Sequence, residues 1–257
     1  MMKRFIFSIF LLPLLLASPQ TKAQGIMLTP KWTAQAQFTG YYVADKLGFY
    51  KEEGIDVCVQ HPAISESSFS FMEKGRAPVV IMNLSYAFME RLAGARVVNV
   101  MQTSQENSLM LISHSPLKGE ESLRNQKIAV WNHLSQKLLD RLAEHYALKQ
   151  VEWIRFNSGV NVFLSGAADP CLVGSYNEYL QLSEYGMNVD SIYSIRLADY
   201  GYNLPEDGLY VTEEFYNQYP EVVRKLVKAS MRGWAWANEH REEALDMVME
   251  EVKKGNI

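Results

Sequence analysis

Trp32, Gln37, Phe38 and Tyr41 fall close together in a polar stretch flanked by Pro30 and Gly40. Their side chains suit recognition rather than bond-making. Trp32 offers a flat face on which a heteroaromatic ring could stack. Gln37 can donate and accept, as the edge of a pyrimidine requires. Phe38, Tyr41 and Tyr42 could wall a pocket. The competing reading packs these aromatics between helix and sheet, and the helical spacing of Tyr42 and Phe49 favours it for those two.

Three further loops carry candidates. In Asn83-Leu84-Ser85-Tyr86, Ser85 is a good N-cap, and a helix N-terminus presents free N–H groups to an anion or carbonyl. Tyr86 could close over a ligand, or Ser85 could do no more than cap its helix. In Asn157-Ser158-Gly159-Val160, Ser158 and Gly159 precede a short helix. Gly159 permits close backbone approach to a phosphate, sulfonate, carboxylate or formyl group. A plain cap and turn is the other reading. In Tyr176-Asn177-Glu178, the carboxylate could accept from a ligand amino group and would repel a sulfonate. It could equally sit on a solvated helix face. Gln105 and Tyr200 add a polar and an aromatic candidate at two later strand ends.

No catalytic constellation accompanies them. The chain has no Gly-x-Ser-x-Gly, P-loop, Gly-x-Gly-x-x-Gly or zinc signature. Asp199 and Glu178 are lone carboxylates by sequence. The five histidines lack ligand spacing, and Cys58-Val59-Gln60-His61 is a solitary Cys-x-x-His. Cys58 and Cys171 both lie in apolar strand-like runs and read as two separate buried thiols. A net charge of −4, with no basic run, gives no reason to expect nucleic acid. The reading is a non-enzyme without cofactor or metal.

The elements that must position these residues alternate. Lys3 and Arg4, the apolar run Phe5 to Ala17 and the small residues of Thr21-Lys22-Ala23 read as an export signal cleaved near Ala23. Residues 1–23 are therefore set aside. Apolar β-branched runs at 26–28, 55–60, 78–82, 97–101, 109–113, 128–131, 151–156, 170–174 and 192–196 read as strands. Helical periods fall at 41–50, 65–74, 86–93, 135–148, 175–182, 213–218, 221–237 and 242–252. Strands alternating with helices indicate an α/β fold with mostly parallel sheets. The polar break after Ser113 and the return near Ile192 divide the chain into lobe one (24–113 and 195–257) and an inserted lobe two (114–194). No sequence repeat is visible.

The segment Trp32-x-x-x-x-Gln37-Phe38-x-Gly40-Tyr41-Tyr42, continued by Gly48-Phe49-Tyr50-Lys51, closely resembles the first βαβ unit of periplasmic substrate-binding proteins of ABC transporters. The branch is the one that handles thiamine-pyrimidine precursors, alkanesulfonates and riboflavin-like molecules. Ala77 to Ala87, Arg96 to Gln102 and Phe215…Pro220-Glu221-Val222-Val223 are similar to later parts of the same family. The resemblance implies the two-lobed periplasmic-binding-protein fold of type II. It also implies a small-molecule ligand between lobes that close by hinge motion, and an extracytoplasmic monomer that docks on a permease with its cytoplasmic ATPase. A eukaryotic relative uses the fold as a pyrimidine synthase, with a histidine and a cysteine-rich segment that this chain lacks. The resemblance extends to sensory input domains of signalling proteins, so ligand sensing stands as the alternative to import.

Overall fold

The structure, a computed structural model, describes residues 25–63, 66–117, 126–131, 150–157 and 159–255, with single positions at 123, 140, 143 and 144. The expected export signal, most of the expected helix at 135–148 and Ser158 lie outside these residues. Tyr200 is described by its backbone alone.

Strands β1 (Ile26–Thr29), β2 (Val57–Val59), β3 (Val79–Asn83) and β4 (Val97–Gln102) share a sheet with the much later β10 (Asp207–Thr212), in the order β2-β1-β3-β10-β4. A second sheet holds β5 (Leu109–Ser113), β6 (Lys127–Trp131), β7 (Glu152–Phe156), β8 (Cys171–Gly174) and β9 (Tyr193–Arg196), in the order β7-β6-β8-β5-β9. In each, the strand in fourth place runs antiparallel to both neighbours, while the first three are mutually parallel. The topology repeats although the sequence does not. β5 was expected with the first lobe. It pairs instead with β8 and β9, so the chain leaves the first sheet after Gln102 and re-enters it at Asp207.

The central strand shows why this sheet reads so clearly. Val79 and Ile81 join a core containing Leu28, Tyr42 and Leu226, whereas Val80 and Met82 join one containing Phe71, Met72 and Tyr210. A strand buried on both faces must be apolar throughout. The edge strand β2 obeys the other rule. Val57 is buried and Cys58 is exposed, which corrects the expectation of two buried thiols. Cys171 is buried, and burial pushes its thiol up to about 12.

One long helix was expected at 41–50. The structure has Thr39–Lys46 followed by Phe49–Glu52, broken at Gly48 with φ +75°. The left-handed residue turns Phe49 and Tyr50 into the core, where Tyr50 Oη meets Ser230 Oγ at 2.9 Å. Two helix starts match the sequence signals. Thr212 accepts from Phe215 N at 3.0 Å, and Pro220 opens the helix Pro220–Glu239. Ser85 does not cap; Asn83 takes the cap position of the helix Leu84–Leu92, and Ser85 lies in its first turn.

Helix Thr39–Lys46 lies directly on helix Pro220–Glu239. The contact is so close that a Cβ on Gly233 would sit 2.9 Å from Ala44 Cβ and run into the Gly40 carbonyl. A Cβ on Gly40 would overlap the Trp234 indole. Gly233→Ala should therefore destabilise the fold by about 1–3 kcal/mol through overpacking. Denaturant unfolding checks this; an unchanged midpoint would mean the helices separate at no cost.

Candidate functional site

A cavity of about 820 Å³ opens where the two sheets meet. That is ample for a small organic ligand. Gln35, Ala36 and Gln37 approach from the loop after β1. Met101, Gln102, Thr103 and Ser104 come from the end of β4 and the connection beyond it. Glu206 and Asp207 come from the returning connection, and Met231 and Trp234 from helix Pro220–Glu239. Tyr176, after β8, is contributed by the second sheet.

The Trp234 indole is the largest flat surface in this wall. Gly40 leaves room for it, and Tyr41 holds it edge-on at 5.8 Å between ring centroids, 83° apart. Gln37 Nε2 is buried without a hydrogen-bond partner, while the buried Tyr41 hydroxyl lies within reach of the Thr103 and Trp234 side chains. An unpaired buried donor is costly, so one in the wall of a cavity points to a ligand that supplies an acceptor. Burial raises the Tyr41 hydroxyl, which therefore stays protonated.

The charged side of the wall is organised by Lys31. Its ammonium pairs with Asp207 Oδ1 at 2.5 Å and donates to Asn83 Oδ1 at 2.6 Å. Burial pulls its pKa down, but Tyr176, Asp207 and Glu206 together outweigh burial and hold it above the ordinary lysine value. Among the described residues, no group of three or more His, Cys, Asp or Glu is placed to hold a metal.

Of the residues singled out from sequence, Gln37 lines this cavity and Tyr41 backs it. Trp32 packs half-buried against the first core rather than in the cavity wall, and Phe38 is wholly buried in that core. Tyr86 faces outward with its ring edge-on to Phe69 at 6.3 Å. Ser85 lies away from the wall, and Gln105 is exposed, donating to the Gln102 carbonyl at 2.8 Å. Gly159 adopts φ +74°, as its permissive role requires, with open space around it. Glu178 is 5% exposed and fully engaged. It accepts from Trp131 Nε1 at 3.0 Å, Gly174 N at 3.0 Å and Asn177 Nδ2 at 3.2 Å. It fastens β6 and β8 to the start of its own helix, and is not an open acceptor.

Sequence reasoning missed Trp234, Glu206, Asp207 and Lys31. Trp234 falls in the helical period 221–237, and a period does not say which face meets a cavity. Pro205-Glu206-Asp207 ahead of a buried strand was the available signal, two carboxylates at the mouth of an apolar segment.

The loop after β1 is held from behind by His61. Its Nδ1 lies 2.5 Å from the Trp32 carbonyl and its Nε2 2.8 Å from Tyr42 Oη. A carbonyl can only accept, so Nδ1 carries the proton and Nε2 accepts from the tyrosine. Burial holds the imidazole below the ordinary value of 6.5, against the opposing pull of the Trp32 carbonyl and Glu251.

Residues 35–244 match the family described as NMT1/THI5 like. The chain belongs to that family. The riboflavin-binding protein RibY of Chloroflexus aurantiacus is 28% identical over 93% of this chain and 69% of its own length. The formylaminopyrimidine-binding protein of Halalkalibacterium halodurans is 24% identical over 100% of this chain and 82% of its own. Other relatives are named as 4-amino-5-hydroxymethyl-2-methylpyrimidine phosphate synthases. The periplasmic aliphatic sulphonate binding protein SsuA of Escherichia coli superposes with a TM-score of 0.69 at 14% identity, covering 90% of this chain and 79% of that one. This NMT1/THI5-like chain thus has the periplasmic-binding-protein fold.

Two measurements test the assignments made for buried groups. Glu178→Ala should cost about 1–3 kcal/mol of folding stability by orphaning the Trp131 and Gly174 donors. Weaker ligand binding at unchanged stability would contradict the structural role. For His61, the folded pKa lies below the unfolded one, so its contribution is complete above pH about 6.5 and is lost as pH falls through the folded value. Unfolding free energy measured across this range should fall more steeply toward acid in the wild type than in His61→Gln. Equal slopes would remove His61 as the acid-sensitive clasp.

Proposed function

We propose that this NMT1/THI5-like protein is an extracytoplasmic solute-binding protein that captures a small nitrogen heterocycle for import by an ABC permease. The observation that carries the reading is the cavity itself. It sits between two sheets, walled by Trp234 and edged by the unpaired donor Gln37 Nε2. A planar ring stacks on the indole and its polar edge accepts from Gln37. Two relatives are named for binding a flavin and an aminopyrimidine, both planar nitrogen heterocycles, which supports this chemistry.

In this reading the two sheets are two lobes, residues 25–102 with 207–255 and residues 109–196. The connections between them act as the hinge. Ligand favours the closed arrangement because Tyr176 from one lobe and Trp234 from the other both contact it only there. Closure excludes water and strengthens the polar contacts. The closed form is the one a permease recognises. Capture rather than turnover is the activity: the wall is built of stacking surface and hydrogen-bonding groups, without a nucleophile paired to a base.

A thermal-shift screen on protein refolded to remove carried ligand tests the proposal, because a ligand that binds only the folded state raises the melting temperature. Aminopyrimidines, riboflavin and alkanesulfonates form the panel. Trp234→Ala should weaken the best ligand more than tenfold, since a lost stacking partner is worth about 1–3 kcal/mol. Trp32→Ala should lower stability more than affinity. The reverse pattern would move the site to the Trp32 loop, and consumption of the ligand would make the protein an enzyme.

A further inference from the structure

Glu206 is the carboxylate of the cavity wall that makes no direct ion pair among the described residues. Lys31 pairs directly with Asp207 and donates to Asn83, and the Glu206 charge also acts on it, so one ammonium serves two carboxylates and the wall keeps a net negative charge. Among the described residues, no lysine, arginine or histidine forms an ion pair with Glu206. Its carboxylate accepts from Ser108 N at 3.1 Å and from Ser108 Oγ at 2.9 and 3.0 Å. A carboxylate has about four acceptor positions, and Ser108 supplies two donors. Acceptor capacity is therefore left over on a side chain that lines the cavity.

The side chain is also held in place. Ser108 lies on the connection leaving the first sheet, and the Glu206 carbonyl accepts from Leu84 N at 3.0 Å and Gln102 Nε2 at 3.3 Å. Glu206 cannot swing out of the wall without breaking the bonds between the two connections. An anionic ligand entering the cavity would be desolvated beside this fixed charge, which Lys31, shared with Asp207, compensates only in part. An amino group meets the opposite situation and completes the hydrogen bonding of the carboxylate.

We infer that Glu206 is the specificity-determining residue of the cavity, excluding anions and selecting a neutral or cationic ligand that bears an amino donor. The inference rests on the proposed reading of the cavity as the ligand site. It assigns to Glu206 the part that residue type alone suggested for Glu178. The fold does not dictate such a preference, because charge in the wall is set by side chains at two connection positions and by Lys31.

Titration calorimetry with a 4-aminopyrimidine and with an alkanesulfonate, on wild type and three variants, tests it. The wild type should bind the aminopyrimidine and not the sulfonate. Glu206→Gln should weaken the aminopyrimidine at least tenfold and improve or leave unchanged the sulfonate. Glu206→Asp, which keeps the charge but shortens the reach, should weaken the aminopyrimidine and still reject the sulfonate. Ser108→Ala loosens the side chain without changing the charge, and should leave the order of the two ligands as in the wild type.

A wild type that prefers the sulfonate would overturn the charge assignment while leaving the cavity as the site. So would a folded Glu206→Gln protein whose aminopyrimidine affinity is unchanged. Should Glu206→Gln not fold, sulfonate binding by Glu206→Asp would overturn it equally. Binding of neither probe by the wild type, or binding insensitive to Trp234→Ala, would overturn the cavity reading itself, and the role of Glu206 with it.

Discussion

The carbonyl of Asp207 fastens the two halves of the chain's path together. It accepts from Thr103 N at 2.9 Å, Ser104 N at 3.1 Å, Thr103 Oγ1 at 2.7 Å and Gln102 Nε2 at 2.9 Å. A carbonyl has two lone pairs, so these donors share it and crowd around one point. That point is where the chain leaves the first sheet and where it returns. The knot sets the start of β10, and with it the antiparallel register between β3 and β4. It also fixes the floor of the cavity, since Gln102, Thr103, Ser104, Glu206 and Asp207 all line it.

The side chain of Asp207 extends the same constraint into electrostatics. Placing a carboxylate and an ammonium in a largely buried wall costs desolvation that their attraction only partly repays, so the Lys31–Asp207 pair is weak evidence for stability. Its geometry does something more specific. Lys31 follows β1, Asn83 ends β3 and Asp207 begins β10, so the ammonium joins the ends of adjacent strands in the first sheet. Removing one partner would strand a buried charge at the cavity edge. The pair thus ties together the strand ends beside the cavity that Gln37 and Trp234 line.

How much of this was legible follows from which residues carry local signals. The α/β alternation, the Thr212 cap and the Pro220 helix start are properties of short windows, and the structure has them. β3 was plain because burial on both faces leaves no polar position. Cys58 was misread because an apolar run on an edge strand was taken as buried, although alternation on β2 turns that side chain outward. Glu178 was misread for a different reason. Its partner Trp131 lies 47 positions away, and nothing near Glu178 in sequence announces that its lone pairs are taken. Phe38 and Tyr41 were offered to the pocket because they sit among polar residues, yet a 3-10 turn at Ala36–Phe38 running into helix Thr39–Lys46 rotates both into the interior. Trp234 was the converse: the period marked it inward, and only the close helix contact at Gly40 and Gly233 turns inward into cavity-facing.

The bonds between the two connections fall into two groups, and the gap between them is where the proposed closing motion would pivot. One group surrounds the Asp207 carbonyl at the edge of the first sheet. The other lies toward the second sheet, where Asn107 N donates to Asn203 Oδ1 at 3.0 Å, Asn107 Nδ2 donates to the Tyr202 carbonyl, and Ser108 is held by Glu206. Asn107 is 5% exposed, so its bonds are shielded from water and costly to break. Between the groups stand Gln105 and Glu106 on one connection and Leu204 and Pro205 on the other. Gln105, Glu106 and Leu204 are exposed, and the Glu106–Arg196 pair at 3.4 Å is a surface contact of small worth. A rotation that keeps both bonded groups intact has to be taken up in these few residues, with the φ of Pro205 fixed by its ring. Among the described residues only Glu206 belongs to both groups, through its carbonyl on one side and its carboxylate on the other. Under the proposed role of Glu206, a ligand that engages that carboxylate would act on the pivot directly and would link recognition to closure through one side chain.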